Sequence, residues 1–156
     1  MIEVDVPGLG LLELKHLVLD LNGTIALDGE VLPGVTERLD RLSGQLNVHL
    51  LSADTRGLAA QTAAQLGVTL TRVDPGDESG RKRKVVELLG RHEVVAIGNG
   101  VNDRQMLEAA ALGIAVLGSE GLAVASLTAA DVVARSTQDA LDLLLSPRRL
   151  TATLRR

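Results

Sequence analysis

A chain of 156 residues, 46% hydrophobic and 23% charged, has the size and balance of one domain around a single core. Its net charge of -4 gives no general attraction to nucleic acid or anionic membrane, and the basic stretches Arg81-Lys82-Arg83-Lys84 and Arg155-Arg156 are too short to reverse that. Without cysteine there is no disulfide or thiolate metal site, and without Phe, Tyr or Trp there is no ring to stack on a base, which disfavours base recognition and leaves phosphate recognition open.

Residues 2 to 15 alternate around Pro7-Gly8 and predict a small hairpin. Residues 16 to 21 read as a buried strand, and Pro33 to Ser43 as a helix with proline in its first turn. "NVHLLS" predicts a second strand ending at Ser52; residues 55 to 66 are Ala-rich and helical, stopped by Gly67. "VTLTRV" is a third strand, followed by a helix from Ser79 or Gly80 through Leu89 and a fourth strand, "EVVAIG". Asn102 to Leu112 is predicted helical with Asn102 as its cap. The strands "IAVLG" and "DVVAR" flank a helix over 120 to 130, and a last helix over 137 to 145 precedes a basic tail. Strands alternating with helices predict a doubly wound α/β fold, a mostly parallel sheet with helices on both faces. No repeat or linker divides it, so residues 1 to 156 are read as one domain. No apolar run reaches the ~20 residues that span a bilayer and "MIEVDVPG" is no signal peptide, so a cytoplasmic protein is expected.

Ligands of open parallel sheets bind at the carboxyl ends of the strands. Three strands end in chemistry there: Asp20 after the first, Ser52 after the second, "GNGVND" after the fourth. "GRKRK" adds a lysine at a helix start. Each signal has a plainer reading. Asn-Gly between apolar runs is a hairpin turn, Ser52 a strand end, the lysines a solvated helical turn, and Met106 core. His16, His49 and His92 lack metal-like spacing. "GNGVND" lacks the third glycine of a dinucleotide loop. The set together suits aspartyl-phosphate chemistry.

In order and spacing the set resembles the haloacid dehalogenase superfamily of phosphotransferases. "DLNGT" resembles its first motif, Asp-x-Asp-Gly-Thr; Ser52 matches the second; Lys82, with Lys84 as the other choice, matches the third; "IGNGVND" resembles the fourth, Gly-Asp-Gly-x-Asn-Asp. The arrangement is most like the phosphorylation domain of P-type ATPases and the small soluble proteins related to it. The resemblance implies that Asp20 attacks phosphorus, with Asn22, Ser52 and Lys82 completing the catalytic set. Gly23, Thr24, Ser52 and Lys82 would bind the phosphoryl group, and Asp20, Asn22 (by its carbonyl), Asn99 and Asp103 would hold Mg2+. The expected partner is a small phosphorylated substrate or a phosphoprotein, not nucleic acid or membrane.

Two positions depart from the family. Where its phosphatases carry the acid that protonates the leaving group, this chain has Asn22; P-type ATPases have threonine there, and their leaving group needs no proton. Slow turnover favouring leaving groups stable as anions is the consequence. Asn99 replaces the first fourth-motif aspartate, which predicts weaker Mg2+ binding. The alternative is a phosphate-binding or regulatory module with weakened catalysis; a third reading is a partner-binding basic loop at Arg81 to Lys84. The segments after Thr24 and between Ser52 and Lys82 are too short for a cap domain, nucleotide-binding insertion or membrane helices, so transport by this chain alone is not expected. An open site would suit a macromolecular substrate or closure by a second subunit of a homo-oligomer.

Overall fold

The computed structural model describes residues 1–54 and 57–156. The chain opens with an antiparallel hairpin, β1 (Ile2–Val6) and β2 (Gly10–Leu14), paired Ile2 to Leu14 and Val6 to Gly10. Strict alternation buries Ile2, Val4 and Val6 on one face. Then follow β3 (His16–Asp20), a two-residue pair β4 (Ala26–Leu27) and β5 (Glu30–Val31), α1 (Val35–Ser43) and β6 (Asn47–Ser52). α2 (Leu58–Leu66), β7 (Thr69–Arg72) and α3 (Glu78–Leu88) lead to β8 (Val94–Gly98). α4 (Arg104–Ala109), β9 (Leu112–Val116), α5 (Val124–Ala129), β10 (Val132–Ala134), α6 (Thr137–Leu145) and α7 (Pro147–Leu154) complete it.

Six strands form one sheet in the order β10-β9-β8-β3-β6-β7, every pair parallel. Such a sheet is covered on both faces, so its strands read as continuous apolar runs. Leu17 and Leu19 of β3, with Val95 and Ile97 of β8, point to a core shared with α1, α2, α6 and the hairpin. Val18, Val94 and Ala96 point the other way, toward Val86 of α3 and Met106 and Leu107 of α4. The doubly wound α/β fold follows directly, and the described residues contain no cap domain. From β3 the chain winds outward through β6 and β7, then returns to lay β8 on the other side of β3. That reversal opens a crevice at the carboxyl ends of β3 and β8.

Several elements differ from the sequence expectation. Asn102 is not a helix cap: it lies in a 3-10 turn over Val101–Asp103, and α4 ends at Ala109. Ala110 N still donates to Met106 O, but Ala111 N donates to Val94 O at 3.0 Å and Leu112 opens β9; tertiary pairing overrides helix propensity. The helix expected over 120 to 130 is only Val124–Ala129, because a bridge between Gly118 and Gly121 turns the preceding loop. The basic tail is a helix, α7, started by Pro147 and anchored by buried Leu150. It lies on the hairpin, with Thr151 Oγ1 donating to Asp5 O at 2.9 Å. The helix expected from 55 is described from Leu58, its first two residues lying outside the described ones. Among the described residues no helix is long and apolar enough to cross a membrane.

Candidate active site

At the tip of β3 the backbone reverses sharply. Leu21 O accepts from Ile25 N and Ala26 N, each at 3.0 Å, and Gly23 N donates to Ala26 O at 2.8 Å. Gly23 carries φ 78, a left-handed conformation that glycine adopts without Cβ strain. The turn leaves Asp20 at the crevice and folds Thr24, wholly buried, back beneath it. Thr24 Oγ1 lies 3.2 Å from Asp20 Oδ2 and 3.2 Å from Asn99 Oδ1, so one hydroxyl joins the ends of β3 and β8. The Asn99 amide donates from Nδ2 to Gly121 O at 3.2 Å, which fixes which way it faces.

The turn after β8 is organised by Asp103, which is fully buried. Its Oδ2 accepts from Asn99 N and Gly100 N, both at 2.9 Å. Gly98 permits this: a Cβ there would stand 2.5 Å from Asp103 Cγ. Asp103 Oδ1 accepts from Lys82 Nζ at 2.7 Å, and the same ammonium donates to Asp20 Oδ1 at 2.6 Å. Lys82 reaches in from α3 with 1% of its surface exposed, whereas Lys84 points to solvent, so Lys82 is the lysine of this cluster.

Two carboxylates around one buried ammonium leave one net negative charge. Burial, and then the Asp103 carboxylate, push the Asp20 carboxyl up to about 7, against the pull of Lys82 and the Thr24 hydroxyl. Burial pulls the Lys82 ammonium down, but Asp20 and Asp103 more than reverse it and it stays raised and charged.

Over the cluster lies an open cavity of about 330 Å³ lined by Asp20, Asn22, Ser52, Ala53, Asp54, Glu78, Lys82 and Asn102. Ser52 Oγ accepts from Asp54 N at 3.0 Å, holding the loop after β6 over the crevice. Asp20, Asn22, Ser52, Lys82, Thr24, Gly23, Asn99 and Asp103 thus come from three strand ends and one helix to one rim. Sequence reasoning missed Asp54, Glu78 and the side-chain part of Asn102. Glu78 is four residues before Lys82, hence on the same face of α3, a spacing that could have flagged it. Its Oε2 accepts from Asn102 Nδ2 at 2.9 Å.

Asp20 Oδ2 and Asn99 Oδ1, converging on one hydroxyl, form an all-oxygen donor pair. That chemistry fits a hard divalent cation such as Mg2+, with less charge than a site built of carboxylates.

A family model described as haloacid dehalogenase-like hydrolase matches residues 2–111. An uncharacterized protein of Methanocaldococcus jannaschii is 43% identical over 84 residues, covering 51% of this chain and 90% of that one. The manganese-exporting P-type ATPase of Mycobacterium leprae is 37% identical over 134 residues, 83% of this chain but 18% of the transporter. The chain therefore spans less than a fifth of the transporters that it matches. Among solved structures, the 3-deoxy-D-manno-octulosonate 8-phosphate phosphatase of Moraxella catarrhalis, in complex with magnesium ion, phosphate ion and sugar, superposes with a TM-score of 0.68. At 15% identity, over 89% of this chain and 90% of that one, the likeness is of fold.

Proposed function

Because the chain belongs to the haloacid dehalogenase-like hydrolases, we propose that it is a magnesium-dependent phosphohydrolase working through an aspartyl-phosphate on Asp20. The observation that carries this is the buried Lys82 ammonium, 2.6 Å from Asp20 and 2.7 Å from Asp103 at the crevice of a parallel sheet. In this reading Asp20 attacks phosphorus in line, the bond to the leaving oxygen breaks, and that oxygen departs with the electron pair. Water then attacks the acyl phosphate, releasing phosphate and restoring the carboxylate. Lys82 and Ser52 hold the phosphoryl oxygens, and the Gly23–Thr24 turn fixes the nucleophile's direction. Asp103 holds Lys82 and the turn, and with Asp20, the Asn22 carbonyl and Asn99 it makes up the set that would hold Mg2+. When bound, the ion neutralises charge on the transferring group.

Asn22 cannot give a proton to the leaving group, so esters whose alcohols depart as stable anions are the favoured substrates. Acyl phosphates and aryl phosphates qualify; sugar phosphates do not. The test is a phosphate-ester panel with Mg2+, run beside Asp20→Asn. Aryl and acyl phosphates are expected to turn over, sugar phosphates to lag far behind, and Asp20→Asn to be inert. Equal rates on both classes contradict the role given to Asn22.

Asn22 and Asn99, two amides at acidic positions of the family, favour a second reading: a phosphate-binding or regulatory module. A stable beryllium fluoride adduct on Asp20 with no turnover on any ester would support it.

A further inference from the structure

We propose that Glu120 supplies the carboxylate charge that the cation site lacks at Asn99, bringing the loop between β9 and α5 into the metal-binding machinery. The inference rests on the cation site of the proposed phosphohydrolase and adds to it a residue outside the four motifs.

The loop is built to deliver that side chain. Gly121 N donates to Gly118 O at 2.9 Å, closing the loop into a tight turn with Glu120 at its tip. The turn is stitched to the end of β8 twice: Ala123 N donates to Asn99 O at 2.9 Å, and Asn99 Nδ2 donates to Gly121 O at 3.2 Å. Asn99 thus spends its amide nitrogen holding this loop, and its amide oxygen faces Thr24 and Asp20.

Glu120 then reaches over the first motif. A Cβ placed on Gly23 would stand 2.2 Å from Glu120 Oε2 and 2.9 Å from Asn99 Nδ2. The carboxylate and the amide flank one point on the backbone, on the residue next to Asn22, whose carbonyl is a proposed donor. Gly23 is required for its φ of 78, and the Glu120 carboxylate lies in the space beside its Cα. Glu120 as a residue is exposed, and it makes no hydrogen bond or ion pair among the described residues. A surface acid usually turns to water; this one lies against the first motif.

Charge gives the reason. Lys82 is shared by Asp20 and Asp103, and Asn99, between Thr24 and Gly121, brings no charge to its donor position. Glu120 would add a carboxylate beside that neutral donor. The departure at Asn99 is offset from a different element.

The test is calorimetric titration of Mg2+, and separately Mn2+, into the intact metal-free chain, a readout independent of turnover. Glu120→Gln is expected to weaken cation binding by about tenfold, the Coulomb scale for one charge removed near a divalent ion in a wet site. Asn99→Asp should tighten binding, and in that background Glu120→Gln should lose most of its effect, since the missing charge has been restored. Glu108→Gln, at an exposed acid on α4, changes net charge equally and should leave affinity as it was. Wild-type affinity in Glu120→Gln, or equal weakening in Glu108→Gln, overturns the proposal. If Asp20→Asn abolishes binding while Glu120→Gln does nothing, only the assignment of Glu120 fails. If Asp20→Asn leaves affinity unchanged, the cation site itself is wrong, and the proposed reaction with it.

Discussion

Asn22 is where chemistry and substrate choice meet. General acid help is worth roughly 10²–10⁴-fold, and an amide at neutral pH supplies none. Asn22→Asp should therefore raise turnover of a sugar or alkyl phosphate by about 10²-fold or more, with a much smaller gain on an aryl phosphate. Steady-state kinetics on one ester of each kind checks this; an equal gain on both refutes it. Both site asparagines precede glycine, a pair prone to deamidation, so a mass spectrum should accompany any trace of sugar phosphatase activity. Lys82 carries a second prediction. Removing it leaves Asp20 and Asp103 facing each other in the interior with no cation. Breaking a buried ion cluster in this way costs about 3–5 kcal/mol, so Lys82→Met should unfold at much lower urea concentration than wild type. The triple variant Lys82→Met, Asp20→Asn, Asp103→Asn should recover part of that loss, because the stranded charges are gone. An unchanged urea midpoint in Lys82→Met would contradict the buried cluster.

At the scale of elements, the rim is held up by contacts far from it. Arg38 on α1 donates from Nε and Nη2 to the two carboxylate oxygens of Asp142 on α6, at 2.8 and 2.9 Å, and from Nη1 to Gly34 O. The Arg38 guanidinium holds the Asp142 carboxyl below its ordinary value, burial opposing. For a carboxyl lowered in the folded state, the stabilisation is complete above the ordinary pKa, about 4, and vanishes as pH falls through the lowered value. Arg38→Ala should thus lower the melting temperature slightly at neutral pH, because a partly exposed ion pair is screened by solvent. The difference from wild type should close as pH is taken below the ordinary carboxylate range; a gap that stays constant through acidification would rule the pair out as its source. Elements also show what could be read beforehand. The strands β3, β6 and β8 were legible because strands of a doubly covered sheet are unbroken apolar runs with a polar residue at the tip. The extents of α4 and α5 were not. Alanine-rich stretches favour helix locally, while Ala111 is claimed by β8 and residues 118–121 by a glycine turn. Proline at 147, a standard helix start, did carry the signal for α7.

For the molecule as a whole, the winding order matters most. Because β8 returns beside β3 while β6 and β7 run outward, motifs far apart in sequence meet at one crevice. Order of motifs and strand endings made Asp20, Ser52, Lys82, Asn99 and Asp103 readable as a group. Glu120, Glu78 and Asp54 were not readable, since their positions depend on loop paths that no local pattern dictates. Among the described residues no segment lies over the crevice, and we propose that a large substrate or a second copy covers it. If a second copy is the lid, KM for an aryl phosphate should fall as protein concentration rises through the dimerisation range; a KM independent of concentration rejects that cover. The central claim is that Asp20 accepts a phosphoryl group, and peptide mass spectrometry after incubation with Mg2+ and acetyl phosphate tests it most directly. A single phosphoryl increment on Asp20, lost in Asp20→Asn and on mild base treatment, is the expected result. An increment on another residue, or turnover that survives Asp20→Asn, would contradict it.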